Sequence, residues 1–446
     1  MYKRIIIVLF CTLLVNHLQS QNKAQIWTLN RCIRYAIQNN VAVRQIEQEK
    51  ASREVNLDMS KNSWLPSLNA NVGQNIDVGR SPSKDGTIKD QSSTNSSFYL
   101  QTSMPLFEGL KLTNEIRAHE WNVLAAVENL NKAIEDVSVN VFTYYMQVLF
   151  KREMENVARE QVLLCANQLK RTEMLVENGK IAKSQLYDME AQLAKDEVTL
   201  TRAKNDVSLA LLDLMQAMDL DAEEREFDIA VPETDVLLAK SMRKILLPDY
   251  IFDKAVSIKP QIKVQVYLLE SNLRSLDIAK SGFFPRLSFN ASYGNNYYRY
   301  TGYDNPSFSE QWNQNSRKTI GLTLSVPIFN RFQVRNNVRS AHIAITSQQL
   351  AIEDAHKTLY KEIRQAYANA IAAKELYLSA ETSVKSSSKA FQYAEESYNA
   401  GKTSVFEFNE AKTKYIQSLS EQKQAKFDFI FRYKILDFYN GIPISL

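Results

Sequence analysis

The chain has 446 residues, with 54 Lys+Arg against 50 Asp+Glu and a formal net charge of +4. That balance, without any basic block, excludes a dedicated nucleic-acid binder. Only 11 Gly and 10 Pro punctuate it, and the long intervals without either residue predict long helices.

The N-terminus reads as an export leader. Lys3 and Arg4 precede an apolar run from Ile5 to Val15, too short to span a hydrocarbon core of about 30 Å. Ser20 offers a small residue for cleavage, which predicts a signal peptide over 1–20 and a mature chain starting at Gln21. Cys11 lies inside the apolar run behind Phe10, an unsuitable context for a lipid-modified cysteine. No later stretch reaches eighteen consecutive apolar residues, so the mature chain carries no transmembrane helix by this reading. Cys32 and Cys165 are far apart and read as two unrelated buried thiols, with a disulfide in an oxidising compartment as the alternative.

Beyond the leader the chain is two copies of one unit. At a shift of 219, Ala36 falls on Ala255, Leu57 on Leu276, Asp58 on Asp277, Pro66 on Pro285 and Leu68 on Leu287. At a shift of 222, Pro105 falls on Pro327, Phe107 on Phe329, Asn114 on Asn336, Arg117 on Arg339, and Gly179-Lys180 on Gly401-Lys402. A shift of 220 then aligns Ser184 with Ser404 and Ala191 with Ala411. Matches that keep this order mark a tandem duplication, with a first repeat over 21–246 and a second over 247–446.

Each repeat opens with a helical segment, from about Leu29 to Trp64 and from about Tyr250 to Phe284. It is interrupted near Asn39-Asn40 in one copy and at Pro260 in the other, and ended by Pro66 or Pro285, since proline drives the preceding residue out of helical geometry. The period then changes to two. Leu68, Ala70, Val72, Ile76 and Val78 alternate with Asn69, Asn71, Gly73, Asn75 and Asp77, and Leu287, Phe289, Ala291 and Tyr293 with Ser288, Asn290, Ser292 and Gly294. The spacing predicts strands over about 67–80 and 96–105, and again over about 286–298 and 317–327. Each is about ten residues, enough for a tilted strand to cross a bilayer. The off-face residues are Asn, Ser, Thr, Gln and Gly, which suits the wet lumen of a barrel. Between the paired strands, Arg80 to Asn95 and Asn295 to Lys318 read as long polar loops, the second rich in Tyr and Trp.

Very long helices follow, predicted over about 108–177 and 330–398, with return helices over about 184–220 and 404–439. Leu112, Ile116, His119, Val123, Val127, Leu130, Ile134, Val137, Val141, Tyr144 and Val148 repeat at a mean spacing of 3.6, the seam of a nearly straight helix. Helices of that length must pack against neighbours rather than around one globular core. Four strands cannot close a membrane barrel, for which eight is about the minimum. An open sheet in lipid would leave backbone groups unpaired at several kcal/mol apiece, so strands from other chains must complete it. Two chains would supply eight strands and three would supply twelve; the pattern does not choose.

This order of elements resembles the TolC-like outer-membrane efflux protein family. So do the helix-to-strand joints Trp64-Leu65-Pro66-Ser67-Leu68 and Phe283-Phe284-Pro285-Arg286-Leu287, and the strand-to-helix joints Met104-Pro105-Leu106-Phe107-Glu108-Gly109 and Val326-Pro327-Ile328-Phe329-Asn330. Ala255 with Lys259-Pro260-Gln261-Ile262 resembles the start of a family repeat, although Asn40-Val41 lacks its proline. Tyr398-Asn399-Ala400-Gly401-Lys402-Thr403-Ser404, continuing to Glu407 and Ala411, resembles a periplasmic hairpin tip. The resemblance implies an α+β membrane protein: a homotrimer with a 12-stranded barrel in outer-membrane lipid and a 12-helix periplasmic tunnel. The segment from about Asp221 to Leu247 would join a belt around that tunnel. The mouth would dock on a periplasmic adaptor and an inner-membrane pump of the RND or ABC type. It also implies adaptor-contacting tips at Gly179, Lys180, Ser184, Gly401, Thr403 and Ser404, and a periplasmic gate at Glu407, Glu410 and Glu190 with Lys402 beside it. Glu190 is matched to Glu410 at the shift of 220, and Tyr187 stands where an acid would match Glu407.

No catalytic, metal or cofactor site is legible. Of the four histidines, His17 lies in the leader, His119 is on the apolar seam, and His342 and His356 have no partners at metal spacing. Gly179-Lys180 is no phosphate loop, because Met174 stands where such a motif needs glycine. Asn290-Ala291-Ser292 fits a glycosylation sequon but falls mid-strand. The expectation is a passive exit duct, with a periplasmic adaptor or a coiled-coil envelope protein as alternatives.

Overall fold

The computed structural model describes residues 25–82, 85–221, 227–242 and 245–445; the leader over 1–20 lies outside them. The elements in order are β1 (Gln25–Trp27), α1 (Leu29–Asn39), α2 (Val41–Asn62), β2 (Ser67–Pro82), β3 (Ile88–Phe107), α3 (Lys111–Glu177), α4 (Lys183–Ala217), β4 (Phe227–Ile229), α5 (Thr234–Ser241), α6 (Pro248–Ile258), α7 (Pro260–Ser281), β5 (Arg286–Tyr300), α8 (Phe308–Gln314), β6 (Arg317–Ser325), α9 (Gln333–Asn399) and α10 (Val405–Tyr439). Two compact units result, one from the segments up to Glu47, Asn129–Pro260 and from His356 onward, the other from Gln48–Glu128 and Gln261–Ala355.

The second unit holds a sheet in the order β2-β3-β5-β6, antiparallel throughout. Its register carries the duplication residue by residue. Leu68 pairs with Thr102 and Leu287 with Leu324, the same rung displaced by 219 on one strand and 222 on the other. The strand-to-helix joints repeat as well: Gly109 and Leu110 have φ of 62° and 66°, and Arg331 and Phe332 have φ of 54° and 61°. Two successive left-handed residues at a shift of 222 turn each strand into its long helix.

The two faces of the sheet differ. Leu68, Val72, Ile320, Leu322 and Leu324 all point to one side and stay exposed. The other side is concave and polar, with a hollow of about 370 Å³ lined by Asn69, Gln101, Ser103, Asn290, Ser292 and Thr323 among others. Asn290 Nδ2 donates to Ser288 Oγ at 3.2 Å and to Thr323 Oγ1 at 3.1 Å, so the sequon asparagine contributes to this polar surface.

Two expectations need correction. Arg80 to Asn95 is not a long loop: β2 and β3 stay paired up to Pro82 and Ile88. The Ser- and Thr-rich stretch from Ser92 to Ser97 has strand-compatible side chains but no apolar alternation, which hid the strand. The connection from Asn295 to Lys318 likewise contains the end of β5 and the helix α8. That helix starts at Ser307, whose Oγ accepts from Glu310 N at 3.2 Å.

The helices α3 and α9 are 67 residues each, and α4 and α10 are 35 each. No Gly or Pro interrupts any of them, and 67 residues extend roughly 100 Å at 1.5 Å per residue. None of the eleven seam positions on α3 is exposed, and Leu112, Val141 and Val148 are buried. The main core gathers Trp27, Phe142, Tyr145, Leu149, Leu214, Ile229, Leu237 and Ile430. It includes the segment joining the repeats, where β4 pairs in parallel with β1. Tyr145 Oη donates to Ala230 O at 2.6 Å, and burial pushes its phenol up.

Candidate functional site

The hairpin tips are built alike. Gly179 and Gly401 take φ of 68° and 71°, a conformation that costs a residue with a Cβ. Lys180 N then donates to Leu175 O, and Lys402 N to Ser397 O, both at 2.9 Å. These bonds close a Schellman turn at the end of α3 and of α9. Neither glycine is crowded, as a Cβ there would meet nothing within 4 Å; backbone handedness alone demands it.

The return helices start differently. Ser404 is the N-cap of α10 in a complete capping box: Glu407 N donates to Ser404 Oγ at 3.3 Å, and Ser404 N donates to Glu407 Oε2 at 3.1 Å. At the first tip the N-cap is Ala182, which has no capping side chain. Ser184 is therefore not the counterpart of Ser404. All four long helices begin and end at a shift of 222 (111 and 333, 177 and 399, 183 and 405, 217 and 439), so the step to 220 read from the sequence is not kept. Asp188 is the positional counterpart of Glu410, Gln185 of Glu407, and Glu190 of Lys412.

The acids are exposed along the first turns. Glu407 is engaged by the cap, and Glu410 accepts from Lys414 Nζ at 2.7 Å. Lys414, rather than Lys402 or Lys180, is the cation at this carboxylate. Among the described residues no hydrogen bond or ion pair joins Glu190 or Lys402 to Glu407 or Glu410. Gly179, Lys180, Gly401 and Ser404 are exposed and Thr403 is half-buried, so one chain presents the tip residues outward and leaves Glu407 and Glu410 side by side on α10.

Behind the tips sits a second core of Cys165, Met189, Phe391, Tyr398, Val405 and Phe408. Thr172 Oγ1 and Tyr398 Oη share a hydrogen bond of 3.2 Å, and Arg171 Nη2 donates to Asn399 O at 3.4 Å, so the two tips are tied within one chain. At the far end of this core lies a polar cluster absent from the sequence reading. Lys412 Nζ lies 2.7 Å from Asp196 Oδ2, both side chains being 2% exposed. Gln161 Nε2 and Gln192 Nε2 donate to Asp196 Oδ1 at 2.8 and 2.7 Å. Its signal was present: Lys412 continues the apolar phase of Val405 and Phe408, and Asp196 that of Met189 and Leu193. Opposite charges on two buried stripes predict a partner for each other.

Among the described residues no group of three His, Cys, Asp or Glu could hold a metal ion, and no helix is long and apolar enough to cross a membrane. Strands with an apolar face, a polar concave face and two tied helical hairpins define an outer-membrane channel subunit. The chain belongs to the outer membrane efflux protein family, whose model matches residues 32–219 and 252–428. It is 22% identical over 378 residues to the outer membrane protein TolC of Vibrio cholerae, covering 83% of this chain and 81% of that one. It is 20% identical over 350 residues to the alkaline protease secretion protein AprF of Pseudomonas aeruginosa, covering 77% and 69%. The CmeC outer membrane channel of Campylobacter jejuni superposes with a TM-score of 0.74 at 17% identity, over 94% of this chain and 87% of that chain. The protein resides in the outer membrane.

Proposed function

We propose that the chain is one third of a passive exit duct, through which an inner-membrane pump sends its cargo across the outer membrane. The observation that carries this reading is the sheet: four strands, an exposed apolar face, a concave polar face and two open edges. Such a sheet becomes tolerable in lipid only when other copies close it. Three copies give 3 × 4 = 12 strands around an aqueous lumen, and their helical hairpins line a periplasmic passage.

The relatives' names include both an efflux protein and a secretion protein, so small molecules and polypeptides are both suitable cargo classes. The partners are a periplasmic adaptor and an RND or ABC pump. In this reading the tips carrying Gly179, Lys180, Ser184, Gly401, Thr403 and Ser404 meet the adaptor. Glu407 and Glu410 ring the mouth, and Glu190, exposed on the other return helix, joins them as a separate acid rather than as the counterpart of Glu410. The leader over 1–20 is removed on export, and the segment joining the two repeats forms the belt.

The test is extraction from outer membrane in mild detergent, mass measurement of the particle, and conductance in a planar bilayer. A trimer that forms stable open channels supports the reading. A monomer released without detergent, or a trimer that never conducts, overturns it.

A further inference from the structure

The open edges of the sheet are not equivalent, and the duplication says how they meet. We infer that a second copy of this chain adds its β2 to β6 in one fixed register, in which residue x of β6 faces residue 396 − x of the neighbouring β2, and that the β5–β6 connection seals the rest of the sheet against any other strand. The inference deepens the assembly proposed above and rests on it.

The register follows from three pairings. Within each copy the hairpin rungs superimpose at shifts of 219 and 222, as Leu68–Thr102 and Leu287–Leu324 show. The junction between copies one and two of the repeat is β3 with β5, where Met104 pairs with Phe289 and Thr102 with Ala291, positions that sum to 393. The seam between two chains is the same junction one repeat later. Adding 222 to the β3 member and subtracting 219 from the β5 member gives 393 + 222 − 219 = 396. Leu324 then meets Val72 and Ile320 meets Ile76 on the apolar face. On the polar face Gly321 meets Asn75 and Thr319 meets Asp77. Arg317, opposite Gly79, lies diagonal to Asp77, within the reach of a long side chain across strands.

The seal lies above this seam. β6 begins at Arg317 opposite Gly294, but β5 continues to Tyr300. Three side-chain amides replace the missing strand there. Asn315 Nδ2 donates to Asn296 O at 2.7 Å. Gln311 takes both groups of Tyr298, accepting from N and donating to O at 2.9 Å each. Asn305 does the same for Tyr300, also at 2.9 Å each. These are alternate residues, the ones whose backbone groups turn to this edge. Phe308 and Trp312 hold the segment down against Phe98. An open edge invites any strand; this one accepts a partner only along β6.

Cysteine pairs test the register in the assembled protein. Directly opposed residues have Cα atoms about 4.5–5.5 Å apart, within the range of a disulfide, whereas a slip of two residues moves them beyond its limit of about 7 Å. The matched pairs are Thr319→Cys with Asp77→Cys, and Gly321→Cys with Asn75→Cys. The slipped pairs use the same four positions: Thr319→Cys with Asn75→Cys, and Gly321→Cys with Asp77→Cys. After mild oxidation, the matched pairs should run as linked multimers on a non-reducing gel and the slipped pairs as single chains. The seal is read separately: Gln311→Ala should speed amide exchange at Tyr298, whose N–H then loses its acceptor. Slipped pairs that link as well as matched ones overturn the register. A trimer in which no pair links overturns the seam. Exchange at Tyr298 unchanged by Gln311→Ala overturns the seal. Loss of the trimer in every variant and in the unsubstituted chain overturns the assembly reading instead.

Discussion

Lys412 on α10 and Asp196 on α4 form an ion pair of 2.7 Å that water does not reach. Each helix belongs to a different repeat, and the pair fixes their register where the tip core ends. A buried ion pair gains little over a matched apolar pair, but removing one partner strands the other charge.

Lys412→Met should therefore cost about 3–5 kcal/mol, since Asp196 keeps only the Gln161 and Gln192 amides. The double variant Lys412→Met with Asp196→Leu should recover a large part of that loss. Thermal unfolding of the helices, followed by circular dichroism in detergent, reads both. A double variant as unstable as the sum of the singles would show that the pair acts as two independent charges.

Under the proposed placement of Glu407 and Glu410 around the mouth, Glu407→Gln with Glu410→Gln should lower cation selectivity and relieve block by divalent cations in a planar bilayer, because a ring of acids favours cations. Glutamine can still serve the capping box at the third helical position, so trimer yield should hold. Glu407→Ala should add a loss of about 1 kcal/mol at the start of α10. Unaltered selectivity and block in the double variant would remove these acids from the conduction path.

Gly179→Ala and Gly401→Ala should each destabilise the tip by about 1 kcal/mol through the left-handed backbone alone. The effect belongs to the tip, so hydrogen exchange near Leu175 and Ser397 should quicken while the main core around Phe142 stays protected. Uniformly faster exchange would mean that the tips and the main core unfold as one.

How much of this was legible depended on which physical signal each element leaves. The long helices and their ends were, because Gly, Pro and a 3.6-residue seam write them directly. The alternating strands were legible where they are apolar on one side, from Leu68 to Val78, and were lost where β3 turns to Ser and Thr, since a hydrated hairpin needs no apolar phase. The helix α8 was passed over although Ser307 and Glu310 stand at capping distance, because the segment looked like a loop. The tip acids were placed on the right helix, but the alignment slipped by two residues. Two serines, at 184 and 404, attracted each other although only Ser404 caps a helix. Lys412 was overlooked because a lysine reads as surface until its neighbours in phase, Val405 and Phe408, are counted.

The two cysteines offer a check on the cores. Burial pushes the Cys32 thiol up to about 12 and raises that of Cys165, and both side chains are fully buried. Only the thiolate is nucleophilic, so neither should react with a maleimide at pH 8 in the folded protein, and both should react in denaturant. Rapid labelling of Cys165 alone would reveal that the tip core opens while the main core remains closed.

The last prediction concerns which face of the sheet meets lipid. Leu322 lies on the apolar face beside Ile320 and Leu324, and Gly321 lies one residue away on the polar face, where a Cβ meets nothing within 4 Å. A strand alternates sides with each residue, so neighbouring substitutions probe opposite environments at one depth. A lysine facing lipid near the bilayer midplane costs about 2–4 kcal/mol, whereas one facing an aqueous lumen keeps its hydration. Leu322→Lys should therefore sharply reduce the fraction of chain recovered as assembled protein in the outer membrane. Gly321→Lys should assemble normally and shift the channel towards anions. The comparison cancels effects of expression and of helix packing, because both variants gain the same charge on the same strand. If Gly321→Lys fails to assemble while Leu322→Lys inserts and alters conductance, the faces are reversed, and the concave surface lined by Asn290 and Ser292 is not the lumen.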